Sequence, residues 1–140
     1  MSGTFTTNRR VEFCHTDAAG IAHFSAFFTF MEQAEHELLR SVGLSVVMQD
    51  GSQTVSWPRV SATCDFVGAA KFEDVLQIDV DIERLGNKSV TYAFRFSHSG
   101  AEIANGKITT VCCHIESGVP PRSIPIPADI SEKLRAFLQT

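Results

Sequence analysis

The sequence predicts an α+β domain in which an antiparallel sheet wraps around one long helix. Three observations carry this prediction. Apolar residues recur with a helical period from Phe24 to Val42, several later runs alternate apolar with polar residues, and short Gly-, Asn- and Ser-containing breaks join those runs as hairpins do. At 140 residues the chain has room for a single domain, taken as 1–140. A hydrophobic share of 44% against 20% charged can pack a core, which excludes a disordered binding segment.

Phe5 to Cys14 has extended character and runs into Thr16-Asp17-Ala18-Ala19-Gly20, whose Asp and Gly form turns. The helix follows. Phe24, Phe27, Phe28, Met31, Ala34, Glu35, Leu38, Leu39 and Val42 recur at steps of three and four, with Ser25 as N-cap and Gly43 as the stop. The phenylalanines crowded between Phe24 and Phe30 predict burial on more than one side. After a polar connection over 49–56, Val60, Ala62, Cys64 and Phe66 form the apolar register of a half-buried strand that breaks at Gly68.

Leu76, Ile78, Val80 and Ile82 alternate with Gln77, Asp79, Asp81 and Glu83, and Gly86-Asn87 turns the chain into Val90, Tyr92, Phe94 and Phe96. That predicts a long antiparallel hairpin. Ser99-Gly100 reverses the chain again, and Ile103 to Ile115 reads as one further strand. Pro120, Pro121, Pro125 and Pro127 impose an extended path, so a last short helix through Ile130, Leu134, Phe137 and Leu138 starts only beyond them, with Asp129 or Ser131 as cap.

Twelve Lys and Arg against 16 Asp and Glu leave a net charge of −4, which argues against duplex nucleic acid or an anionic membrane as the main partner. No apolar stretch approaches the roughly 20 residues that span a bilayer, and the segment up to Arg10 lacks the apolar centre of a signal peptide. A cytoplasmic location is expected. Cys14, Cys64, Cys112 and Cys113 form no CxxC and share no metal spacing with a histidine cluster, so no metal site is expected. All four fall in strand-like stretches and read as reduced, small buried hydrophobes.

Between the first strand and the helix, Val11 to Phe24 places a carboxylate, two imidazoles and a flexible Gly before a helix N-terminus. Unpaired N–H groups and a partial positive charge there can hold an oxyanion formed at an attacked carbonyl, with Asp17 as the attacking or water-activating group. The same residues also suit a plain turn in which Asp17 caps and Gly20 relieves backbone strain. Local sequence leaves both readings open.

This segment resembles the active-site loop of the 4-hydroxybenzoyl-CoA thioesterase family through Val11-Glu12-Phe13, Asp17 and Ala19-Gly20-Ile21. The resemblance extends to Val60 through Phe66, Phe72-Glu73-Asp74-Val75-Leu76, Lys88-Ser89 and Ile126-Pro127-Ala128, most of the chain. It implies a hot-dog fold and an acyl-CoA thioesterase acting on a small or medium acyl group, aromatic ones included. The family's catalytic Asp falls on Asp17, with Gly20, His23 and Phe24 completing the catalytic set and the Phe24 N–H as oxyanion donor. Phe27, Trp57, Lys88 and Ser89 would bind substrate, Lys88 at the nucleotide end of coenzyme A, with Arg84, Lys71, Arg59 and Arg122 as further cations. Coenzyme A is part of the substrate and no separate cofactor is implied.

Two departures stand out. His15 replaces an acidic residue common among relatives, and the His that one subgroup carries at the position of Phe24 is displaced here to His23. A second branch of hot-dog thioesterases carries its catalytic Glu on the central helix, so Glu32 and Glu35 are also candidates, paired otherwise with Arg40 or solvent. An aspartate carboxylate is ionised at neutral pH and weakly basic, yet available as a nucleophile, and a thiolate leaves readily. Both nucleophilic attack and water activation by Asp17 therefore remain open, as do a hot-dog hydratase and a non-catalytic acyl-binding module. The resemblance implies a homodimer or a homotetramer of two dimers, with sites between subunits.

Overall fold

A row of residues at one level, Phe5, Val80, Phe94, Gly106 and Cys64, crosses the main sheet of the computed structural model, which describes residues 3–139. Its strands are β1 (Phe5–Arg10), β4 (Arg59–Phe66), β5 (Val75–Leu85), β6 (Ser89–His98) and β7 (Ala101–Val111), ordered β1-β5-β6-β7-β4 and antiparallel throughout. The alternation explains the inner face: Leu76, Ile78, Val80 and Ile82 of β5 and Val90, Tyr92, Phe94 and Phe96 of β6 are all buried. Among the described residues no helix is long and apolar enough to cross a membrane.

Helix α1 (Phe24–Ser41) lies across that inner face. It buries Ala26, Phe27, Phe30, Met31, Ala34, Glu35, Leu38 and Leu39, two residues per turn at steps of four, so only one side is covered. The expected burial on more than one side is not met, because Ser25, Thr29, Glu32, Gln33 and Arg40 stay exposed and Phe24 is 60% exposed. Gly43, at φ +78°, ends the helix as predicted: its N–H donates to Arg40 O and that of Leu44 to Leu39 O, a Schellman closure. Helix and sheet meet most closely at Gly106, where an added Cβ would stand 2.6 Å from Met31 Sδ and 2.7 Å from Thr63 O. Only glycine permits that approach.

Five expectations are corrected. The polar connection contains β2 (Met48–Asp50) and β3 (Gln53–Ser56), strands too short to show alternation. The run from Ile103 to Ile115 divides at Cys112 into β7 and β8 (Cys113–Glu116), which belong to different sheets, and β9 (Val119–Ser123) completes the second sheet, ordered β2-β3-β8-β9. Cys14 is exposed in a 3-10 turn (Phe13–His15) beyond the end of β1, although Cys112 and Cys113 are buried. In β4 the apolar register is uncovered, with Val60 63% and Phe66 46% exposed, because this strand is the sheet edge. The last helix, α2 (Ala128–Leu134), begins after Pro127, which is itself the N-cap in place of Asp129 or Ser131. It buries Ile130 and Leu134.

Candidate active site

Backbone hydrogen bonds close the Asp17 loop before any side chain acts. The Asp17 N–H donates to Ile21 O at 2.8 Å, the Gly20 N–H donates to Asp17 O at 3.0 Å, and Thr16 bridges Ala22. Gly20 takes φ +80°, which a residue with a Cβ adopts only at a cost, and open space surrounds it, so its role is conformational. Asp17 Oδ1 accepts from the Ala19 N–H at 2.8 Å and at longer range from the Ile21 N–H at 3.4 Å. Oδ2 takes no hydrogen bond among the described residues. The loop therefore holds one carboxylate oxygen and presents the other.

The next residues set the helix N-terminus. His23, not Ser25, is the N-cap of α1: its Nδ1 accepts the Ser25 N–H at 3.2 Å and lies 2.8 Å from Ser25 Oγ, while its ring sits 4.4 Å from that of Phe24. The His23 N–H donates to His15 O and the Ala26 N–H to His23 O. The Phe24 N–H, first in the helix, has no partner among the described residues and retains the partial positive charge of that terminus. His15 serves the 3-10 turn, with Nδ1 accepting the Glu12 N–H at 2.9 Å and its ring against the edge of Phe30.

Asp17 and Phe24 line one pocket of about 220 Å³ with Ile21, Ala22, Phe27, Phe66, Gly68, Ala69 and Ala70. Its walls are mostly apolar and aromatic: Phe27 stands edge-on to Phe66 and to Phe96, each at 5.2 Å between ring centres. Sequence reasoning found Asp17, Phe24 and Phe27 but missed Phe66 and Gly68 to Ala70 as site residues. The break at Gly68 was the available signal: a Cβ there would lie 3.0 Å from Glu102 O, so this segment runs tight against β7 and forms the pocket wall.

Other predicted residues lie elsewhere. Ser89 opens β6 with Lys88 just before it, and Lys88 stands eight residues ahead of Phe96 along an extended chain, roughly 25 Å at ~3.3 Å per residue. Trp57, 3% exposed, is packed in the core before β4 and is not a pocket residue in one chain. Phe28 is half-buried against the core, outside the pocket. Arg84 and Lys71 are exposed; Lys71 bridges Ile21 through its backbone. Arg122 lines a larger groove of about 770 Å³ over the second sheet, where its Nη2 lies 3.0 Å from His114 Nδ1. That groove shares no residue with the Asp17 pocket.

Of the helix carboxylates, Glu32 is exposed and Glu35 is buried. Arg59, rather than Arg40, pairs with Glu35: its Nη2–H donates to Oε1 at 2.6 Å, and its Nη1–H donates to Trp57 O. Glu35 Oε2 is buried with no partner among the described residues. Burial pushes the Glu35 carboxyl up from 4.5 to about 7, against the opposing pull of Arg59.

Comparison with known proteins bears on this geometry. Residues 11–134 match the family described as the Thioesterase-like superfamily. A relative from Aquifex aeolicus, named an esterase, is 31% identical over 94% of this chain and 98% of its own. A 1,4-dihydroxy-2-naphthoyl-CoA hydrolase of Synechococcus elongatus is 28% identical over 94% and 92%. Among solved structures, a 4-hydroxybenzoyl-CoA thioesterase complexed with 4-hydroxybenzoyl-CoA superposes with a TM-score of 0.81 at 22% identity, covering 94% and 98% of the two chains. The helix laid across an antiparallel sheet and the family match along nearly its whole length agree: the chain belongs to the Thioesterase-like superfamily and is a thioester hydrolase on a hot-dog fold.

Proposed function

We propose that this protein hydrolyses an acyl-CoA with a small, aromatic or medium acyl group, and that Asp17 is the reactive carboxylate. The observation that carries this reading is that Asp17, whose Oδ2 takes no hydrogen bond among the described residues, and Phe24, whose N–H has no partner among them, line the same pocket. Oδ2 attacks the thioester carbonyl carbon, and the oxyanion that forms is stabilised by the Phe24 N–H and the positive end of α1. The C–S bond then breaks, the thiolate departs and takes a proton from water, and a mixed anhydride remains on Asp17. Water cleaves the anhydride, giving the free acid and restoring the carboxylate.

Phe24, Phe27 and Phe66 favour an apolar or aromatic acyl group. At about 220 Å³ the pocket is smaller than the ~300 Å³ at which ligand sites usually begin, and β4 beside it is uncovered. A second chain supplies both needs. Pairing two β4 edges about a two-fold axis runs them antiparallel, so the Phe66 end of one chain meets the Arg59 end of the other. Lys88 sits beside Ser89, close to the level of Arg59, since Val90 and Arg59 both pair with Thr110. In that dimer Lys88 of the partner subunit comes to the Asp17 side and serves the phosphates of coenzyme A, with Ser89 beside it. Trp57 approaches from the same end. A hydratase would need the His23 ring for proton transfer, but here the ring caps α1.

The test is release of thiol from 4-hydroxybenzoyl-CoA, 1,4-dihydroxy-2-naphthoyl-CoA and a series of aliphatic acyl-CoAs by wild type and Asp17→Asn, both shown folded and of equal size in solution. The expected outcome is a loss in the variant of at least roughly a hundredfold. Unchanged turnover would remove Asp17 from the chemistry, and no wild-type turnover on any thioester would remove the proposed substrate class.

A further inference from the structure

The Asp17 loop is held from outside by the turn Lys71 to Asp74. The Ala22 N–H donates to Ala70 O at 2.7 Å and Ile21 bridges Lys71, so the C-terminal side of the loop is hydrogen-bonded to the approach to this turn. The turn is also tied to the segment entering the loop: the Glu73 N–H donates to Val11 O at 2.7 Å, and the Val11 N–H donates to Asp74 O at 2.8 Å. Both ends of the reactive loop therefore hang on four residues.

Those four residues do not form an easy turn. Glu73 takes φ +74°, the left-handed region that a residue with a Cβ adopts only under strain. With the Asp74 N–H donating to Lys71 O at 3.0 Å, Glu73 occupies the third position of a turn whose form favours Gly or Asn there. One side chain bites back across the turn: Asp74 Oδ2 accepts the Lys71 N–H at 2.9 Å. Its other oxygen stands 3.6 Å from His98 Nε2, beyond hydrogen-bond length, while His98 Nδ1 lies 3.1 Å from Val75 O.

We propose that Asp74 is a positioning residue for the Asp17 loop: by closing the strained turn onto the Lys71 N–H it fixes the backbone from which Ile21 and Ala22 hang. This rests on the reading of Asp17 as the reactive carboxylate. Asp74 does not line the Asp17 pocket and acts through the loop. Its carboxylate matters as an acceptor, not as a charge, so an amide oxygen in the same place does the same work.

The experiment compares wild type, Asp74→Ala, Asp74→Asn and Asp17→Asn by amide hydrogen exchange and by steady-state turnover of the thioester that the wild type hydrolyses fastest. In Asp74→Ala the amides of Asp17 and Ala22 are expected to exchange at least tenfold faster while those in the centre of β5 and β6 keep their rates. Its kcat falls about tenfold with KM within twofold, and Asp74→Asn keeps wild-type exchange and turnover. Unchanged loop exchange in Asp74→Ala, acceleration spread evenly over the sheet, an unchanged kcat despite a loosened loop, or an Asp74→Asn variant as impaired as the alanine would each overturn the proposal. If Asp17→Asn retains full turnover, it is the Asp17 reading that has failed, and exchange at Asp17 and Ala22 alone decides the role of Asp74.

Discussion

Asp17 and Glu35 show how burial and backbone donors give two carboxylates different tasks. Asp17, which lines a pocket, commits one oxygen to the Ala19 N–H and leaves the other without a hydrogen bond among the described residues. Glu35 has no solvent and a single cationic partner, and burial lifts its pKa from 4.5 to about 7. In the folded chain Glu35 thus keeps a proton that the unfolded chain releases at lower pH, so its contribution to stability is complete below pH 4.5 and is lost as pH rises through 7. The difference corresponds to roughly 3 kcal/mol. Urea unfolding at a series of pH values is expected to show wild-type stability falling between pH 4.5 and about 7, and a Glu35→Gln chain with a flatter profile. Equal slopes in the two chains would refute this assignment.

At the scale of elements, the contact between α1 and the sheet depends on a missing side chain. A methyl group at Gly106 cannot be absorbed by moving Met31 alone, because the Thr63 carbonyl on the neighbouring strand is equally close. Gly106→Ala is therefore expected to destabilise the fold by about 2 kcal/mol, read as a lower urea midpoint at an unchanged slope. An unshifted midpoint would show that both α1 and the Thr63 backbone of β4 can give way freely. The helix and the β5–β6 hairpin were legible in the sequence because their apolar periods are long and unbroken. The His23 cap was not, since His is an uncommon cap and Ser25 lies close by. The division at Cys112 falls within a uniform run of strand-forming residues, with no Gly or Pro to mark it. The brace at Asp74 is made largely of backbone bonds between distant segments, which leave no trace in periodicity or composition.

For the whole molecule, what the sequence disclosed of the site stops at residues that one chain brings together. Asp17, Gly20, Phe24 and Phe27 could be read because turn, helix start and aromatic residues adjoin in the chain. Lys88, Ser89 and Trp57 are legible only as residue types: one chain keeps Lys88 and Ser89 away from the pocket and Trp57 inside its core. The edge strand has the same character. Its Val60 and Phe66 follow the apolar register of a buried strand, yet this chain leaves both exposed, and the proposed dimer is what would cover them.

The separation of Asp17 and Lys88 within one chain has a genetic consequence under the proposed dimer. Two inactive chains, Asp17→Asn and Lys88→Ala, complement each other when refolded together, because half of the dimers are mixed and each mixed dimer contains one site built from two intact contributions. Recovered activity is expected at about a quarter of the wild-type level. Mixing without unfolding should leave both preparations inactive for as long as subunits do not exchange, and no recovery after co-refolding would place the whole site within one chain. Two alleles of such a gene, each null alone, would then make a working enzyme in the same cell.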